Sequence, residues 1–258
     1  MTHNMPLSPA APSGEPTRAS PAPLASPSAP TNATPQMAVS PPPSRLVTDA
    51  PMRMFHALFA LSFCGAYITA DSEHWRLGHV VLGYTLAGML AFRLVYGLVG
   101  PRPARLSTLW RKSSGTWAWL QTVKAALSQG GSWQTVAWRQ GPILLMAASL
   151  TSLLMVVLPL TLSGYGTFHE WGGDVGVEVF ESLHEFFGNA ALTLVMAHLA
   201  LLAGQSFWRK KNLALPMLTG RIEGKGPDLV PSNRAWLAAL LLLSVLAYWA
   251  WEFYLSRP

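Results

Sequence analysis

Apolar positions in this chain run in long blocks, and the polar residues collect between them. A helix needs about 20 mainly apolar residues to cross the hydrocarbon core of a bilayer. Five segments qualify: Met52–Ala70, His79–Val99, Pro142–Gly164, Leu183–Phe207 and Ala235–Tyr254. The first is short and the second carries Arg93, yet each is long enough to span. Residues 104–138 read differently, with Trp110, Trp117, Trp119, Trp133 and Trp138 interleaved with Arg111, Lys112 and Lys124. Tryptophan favours the headgroup zone, so this stretch predicts an amphipathic helix lying in the interface rather than a sixth span. Residues 1–50 are rich in Pro, Ala and Ser, with Pro41, Pro42 and Pro43 in a row. Such a segment buries too little apolar surface to offset its ordering entropy, which predicts a disordered tail. It also lacks the basic start and continuous apolar stretch of a signal peptide. The pattern therefore predicts an all-α membrane protein: a tail over 1–50, then a transmembrane helical bundle over 51–258.

Composition agrees with that class. Half of the 258 residues are hydrophobic, 12% are charged, and eleven are tryptophan. A pI near 9.8 raises the question of nucleic acid. The basic residues, however, cluster between apolar runs, where membrane topology explains them, and no nucleic-acid partner is expected. Placing the amino terminus in the cytoplasm puts 16 of the 18 Lys and Arg on the inner side, leaving only Arg76 and Arg257 outside. That bias predicts an inner-membrane protein with its amino terminus cytoplasmic and its carboxyl terminus periplasmic. The outer side then collects Asp71, Glu73, Glu170, Asp174, Glu178 and Glu181.

Four histidines fall inside or at the ends of the apolar segments: His56, His79, His184 and His198. Between the last two lie fourteen helical steps of about 100°, within about 40° of a whole number of turns, so the rings share a face roughly 21 Å apart. The topology gives two levels, an outer one with His79 and His184 and an inner one with His56 and His198. Each level offers two imidazoles from different helices, the minimum that holds a haem iron from both faces. The plainer alternative is four interior histidines sharing hydrogen bonds with neighbouring helices, although polar groups within spans are costly and usually functional. Zinc fits less well, because each level supplies only two nitrogens. The single cysteine, Cys64, and the absence of a Cys-x-x-Cys-His motif exclude conventional covalent c-type attachment. His74 and His169 fall in outer loops and His3 in the tail, where solvated surface is the default reading.

Gly83 and Gly188 each follow a histidine by four residues and would leave room for a flat macrocycle one turn from its ligand; small residues also serve ordinary helix packing. Arg93, toward the inner end of the second span, is a candidate partner for an inner haem propionate or a side chain snorkelling to the headgroups.

These residues resemble the bacterial cytochrome b561 family, which includes the b-type subunit of nickel-iron hydrogenases and resembles the membrane subunit of respiratory formate dehydrogenase. The matching stretches are RMFHALFALSFCGAYITADSEHWRLGHVVLGYTLAGMLAFRLVYGLVGPR, SLHEFFGNAALTLVMAHLALL and NLALPMLTGR. The resemblance implies a four-helix haem-binding core plus a fifth, C-terminal transmembrane helix, and two haem b groups. It implies the pairs His56 with His198 and His79 with His184, the same pairs that depth gives. Family members usually carry tryptophan after the first histidine, where this chain has Ala57. The loop that often reads Gly-Pro-Arg-His reads Gly100, Pro101, Arg102, Pro103 here.

Bis-imidazole ligation leaves no open iron position, so electron transfer is expected rather than oxygen activation. The expected role is a di-haem cytochrome passing electrons between the quinone pool and a periplasmic redox partner. The resemblance also allows a hydrogenase or dehydrogenase anchor subunit, exchange with a soluble c-type cytochrome, or superoxide oxidation coupled to quinone reduction. An acidic outer face disfavours an anionic substrate and favours a basic protein. A non-redox scaffold or transporter is the remaining alternative, against which stands the lack of a carboxylate deep in any span.

Overall fold

The computed structural model describes residues 43–128, 134 and 136–257. Most of the expected tail (1–42, with His3) and Trp133 lie outside the described residues. The helices are α1 (Ala50–Thr69), α2 (Arg76–Val99), α3 (Leu106–Ser128), α4 (Gly141–Phe168), α5 (Gly173–Arg209), α6 (Leu215–Thr219) and α7 (Ala235–Leu255). Helices α1, α2, α4 and α5 form the core, and α7 packs mainly along α1. One cluster of buried side chains joins α1, α2 and α7 through Phe55, Leu58, Met89, Leu241 and Val245. A second joins α1, α2, α4 and α5 through Phe63, Leu86, Leu160 and Ala191.

Among the described residues, four stretches are long and apolar enough to cross a membrane: Glu73–Val99, Gly141–Phe168, Gly173–Arg209 and Ala235–Leu255. The sequence reading had five. Helix α1 is missing from the four because Arg53 and His56 sit close to its start, although its 20 residues extend about 30 Å. Helix α3 is present where an interfacial helix was expected, and it lies against α4, with Thr116 Oγ1 donating to the Leu144 carbonyl at 3.0 Å.

Two boundaries differ from expectation. Residues 43–50 do not belong to a structureless tail. Strand β1 (Ser44–Leu46) pairs antiparallel with β2 (Arg221–Glu223), Asp228 accepts from the Leu46 amide at 2.6 Å, and the Val47 and Thr48 amides donate to the Gly220 carbonyl. Gly220 is obligatory at this junction: its φ is +78°, and a Cβ there would lie 2.6 Å from the Thr48 carbonyl oxygen. The second difference is α5, which begins ten residues before the expected span and runs for 37 residues, about 55 Å. Asp174, Glu178 and Glu181, read as loop residues, are exposed on its first turns. Asp174, in the first turn, faces the positive end of the helix dipole, which favours starting the helix early.

Candidate functional site

The end of the bundle where α1 finishes and α2 begins brings His79 and His184 together. Their ring centroids are 5.9 Å apart and their planes stand at 81°. Each ring is pinned through Nδ1 to a backbone carbonyl of a neighbouring helix: His79 to Ala66 of α1 at 2.8 Å, His184 to Leu160 of α4 at 3.0 Å. A carbonyl can only accept, so both Nδ1 atoms carry the proton and both Nε2 atoms keep a free lone pair. The Ala66 carbonyl is one of the four that the last turn of α1 leaves without a backbone partner, and His79 closes that helix end together with the Thr69 hydroxyl, which donates to the same oxygen at 3.2 Å.

Both rings line a cavity of about 660 Å³, along with Gly83, Gly188, Gly164 and Tyr84. A Cβ on Gly83 would meet nothing within 4 Å, and one on Gly188 would touch only a Leu160 methyl at 3.9 Å. Gly164 is different. A Cβ there would fall 2.8 Å from His184 Cε1 and 2.9 Å from its Nδ1, so only glycine lets that imidazole lie against α4. Sequence reasoning missed Gly164, because its reason lies across a helix contact and leaves no local signal.

The opposite end holds His56 and His198. His56 is exposed and His198 half-buried, and they are close enough to interact electrostatically. No carbonyl pins His198, whose Nδ1 is buried without a hydrogen-bond partner. The helix ends around them are fastened by other groups. Arg53, one turn before His56, donates to the Leu218 carbonyl at 2.7 Å and to Asn233 Oδ1 at 3.3 Å. The Tyr96 hydroxyl donates to buried Asp49, and Arg234 donates to Tyr96 at 3.2 Å. Arg93 is buried and donates to the Ala104 carbonyl at 2.9 Å, holding the turn that follows α2. The sequence did not disclose that structural duty.

His169, read as solvated surface, is exposed, but its Nε2 meets the Tyr84 hydroxyl at 3.1 Å and its ring lies 4.2 Å from that of Tyr165. Among the described residues no group of three or more His, Cys, Asp or Glu is arranged to hold a metal ion.

Apolar helices that bring His79 and His184 together across a helix boundary define a membrane bundle rather than a soluble metalloprotein. The chain belongs to the prokaryotic cytochrome b561 family, whose model matches residues 47–220. It is therefore a membrane b-type cytochrome of electron transfer, a haem b protein and a multi-pass protein of the inner membrane. The match takes in α1 to α6 and all four histidines, and it stops at Gly220, before α7. Searches of curated proteins and of solved structures each return no match.

The residues at the His79 end fit that cofactor. The ring centroids, 5.9 Å apart, leave room for a single metal atom that both imidazoles could hold at bonds of about 2 Å. Their protonated Nδ1 atoms face carbonyls, the outer-shell arrangement that orients a metal-binding histidine and raises its basicity.

Proposed function

We propose that the chain is a di-haem b-type cytochrome carrying electrons between the quinone pool and a periplasmic redox partner. His79 and His184 would hold one haem and His56 and His198 the other, with Gly83 and Gly188 beside the ligands of the first and Arg93 near the second. Bound haem supplies a one-electron iron couple. The chain's own residues would hold the group through these imidazoles, and the Ala66 and Leu160 carbonyls set the orientation of the His79 and His184 rings. The observation that carries the reading is the His79–His184 pair, with rings 5.9 Å apart and both Nδ1 atoms committed to carbonyls.

The charge distribution supports a cytoplasmic amino terminus, a periplasmic carboxyl terminus, α1 as a further span and α3 at the cytoplasmic interface. It also supports a basic protein, such as a c-type cytochrome, as the outer partner in preference to superoxide. Glu170, Asp174, Glu178 and Glu181 are all exposed and would repel a small anion. An anchoring role in a hydrogenase or dehydrogenase complex would use the same electron path.

Haem quantification of the purified protein tests the proposal. The expected result is two b haems per polypeptide with a dithionite-reduced b-type spectrum. A clean value of one would remove the two-site arrangement.

A further inference from the structure

Between α2 and α7 lies a second cavity, of about 640 Å³. On α7 its wall is Ser244, Tyr248 and Glu252, at four-residue steps that put them on one face of the helix. On α2 it is Tyr84, Thr85 and Gly88. Met89, Leu241 and Val245 add an apolar floor. Trp249 Nε1 donates to Thr85 Oγ1 at 2.9 Å and clamps the two helices at this level. Gly88 and Ser244 are exposed, so the groove opens onto the outside of the bundle, where lipid would lie. Tyr84 lines both this groove and the cavity that holds His79 and His184.

We propose that this groove takes the head group of a membrane quinone, with Glu252 and the Tyr84–His169 pair handling its two protons. The inference rests on the quinone reading above and adds the site, which uses a helix outside the stretch that matches the family. The chemistry of the lining selects the ligand. A flat, apolar ring with two oxygen atoms suits an apolar floor flanked by hydroxyls. A phospholipid phosphate does not, because no Lys or Arg lines the groove and Glu252 would repel it. An acyl chain would leave the Tyr248 hydroxyl and the Glu252 carboxylate against hydrocarbon with nothing to bond.

In the oxidising direction one quinol breaks two O–H bonds, loses two protons and two electrons, and leaves as quinone. The two electrons would pass one at a time to the one-electron iron couple that bound haem would supply. The Glu252 carboxylate accepts one proton; it is half-buried and close enough to act electrostatically on both Tyr84 and Tyr248. The second proton reaches the Tyr84 hydroxyl as that hydroxyl passes its own to His169 Nε2, 3.1 Å away on an exposed side chain. Quinone reduction runs the same transfers in reverse.

The test uses the full, haem-loaded chain in lipid nanodiscs with a photoreactive azidoquinone, the adducts being mapped by peptide mass spectrometry. Labelling is expected on the peptides containing Tyr84–Met89 and Leu241–Glu252, displaced by unlabelled quinone and lost in Gly88→Leu. An added Cβ at Gly88 meets nothing within 4 Å, so the substitution fills the groove without disturbing the bundle, and unchanged haem content checks this. In stopped-flow assays, quinol-driven haem reduction should fall about tenfold or more in Glu252→Gln, the equivalent of one lost charge-assisted hydrogen bond, while dithionite spectra stay the same. Equal labelling of these peptides by a photoreactive phospholipid, undisplaced by quinone, would overturn the proposal. If quinol reduces the wild type but the label lands elsewhere and both variants react normally, the groove fails and the quinone reading stands. A wild type that neither labels nor accepts electrons from quinol sinks both.

Discussion

Gly164→Ala adds one methyl group to α4, and the structure says where it goes. Its carbon would lie 2.8 Å from Cε1 of His184, whereas ordinary contact begins at 3.4 Å. The ring must therefore retreat from α4 by about 0.6 Å. Leu160, whose carbonyl holds the ring, is on that same helix. Retreat stretches the 3.0 Å bond to about 3.6 Å, beyond hydrogen-bonding length. Loss of such an outer-shell bond typically costs about 10–100-fold in metal affinity. The substitution should thus strip or weaken the haem held by His79 and His184 and leave the other in place. Haem quantification and a potentiometric titration followed at the b-haem band would show one component diminished or shifted and one unchanged. Gly204→Ala on α5, where an added Cβ meets nothing within 4 Å, is the matched control and should alter neither. Two haems with wild-type potentials in Gly164→Ala would refute the argument that α4 positions this imidazole.

Two further outcomes follow from the proposed pairs and the charge distribution. His198→Ala should delete one redox component and His79→Ala the other, because a lone histidine cannot hold iron from both faces; redox titrations in which both variants lose the same component would break the pairing. Electron exchange with a basic c-type cytochrome should slow as ionic strength rises, since such steering is screened over about 10 Å at 0.1 M salt. Reversing Glu170, Asp174, Glu178 and Glu181 to lysine should slow it further at low salt and flatten the salt dependence, and stopped-flow rates indifferent to both changes would remove the case for a protein partner on that face.

The pattern of apolar blocks foretold most of the bundle because a bilayer leaves few ways to satisfy a backbone, and length with hydropathy reports them directly. The meeting of His79 and His184 was legible for a related reason: once topology assigns depth, helices of known rise bring equal depths together. Gly164 was not legible, since its role is to leave space for a ring on another helix and a lone glycine in a span has many plainer explanations. Asp49 and strand β1 were absorbed into a Pro-rich tail because their partners, Tyr96 and the 220–229 segment, are distant in sequence. The groove beside α7 was hidden likewise. Ser244, Tyr248 and Glu252 look like scattered polar residues until α2 is set opposite them.

Helix α5 carries His184 and His198 on one continuous, unbroken rod, while their proposed partners sit on separate helices. That makes the interval between them a length the chain cannot edit. Inserting one residue anywhere from 185 to 197 would turn His198 by about 100° and advance it about 1.5 Å relative to His184, carrying one imidazole out of its site however well the helix itself accepted the change. Only an insertion of whole helical turns keeps both rings facing the core, and it would lengthen the gap between the two proposed centres by about 5.4 Å per turn. This stretch of α5 works as a fixed ruler between the two proposed centres.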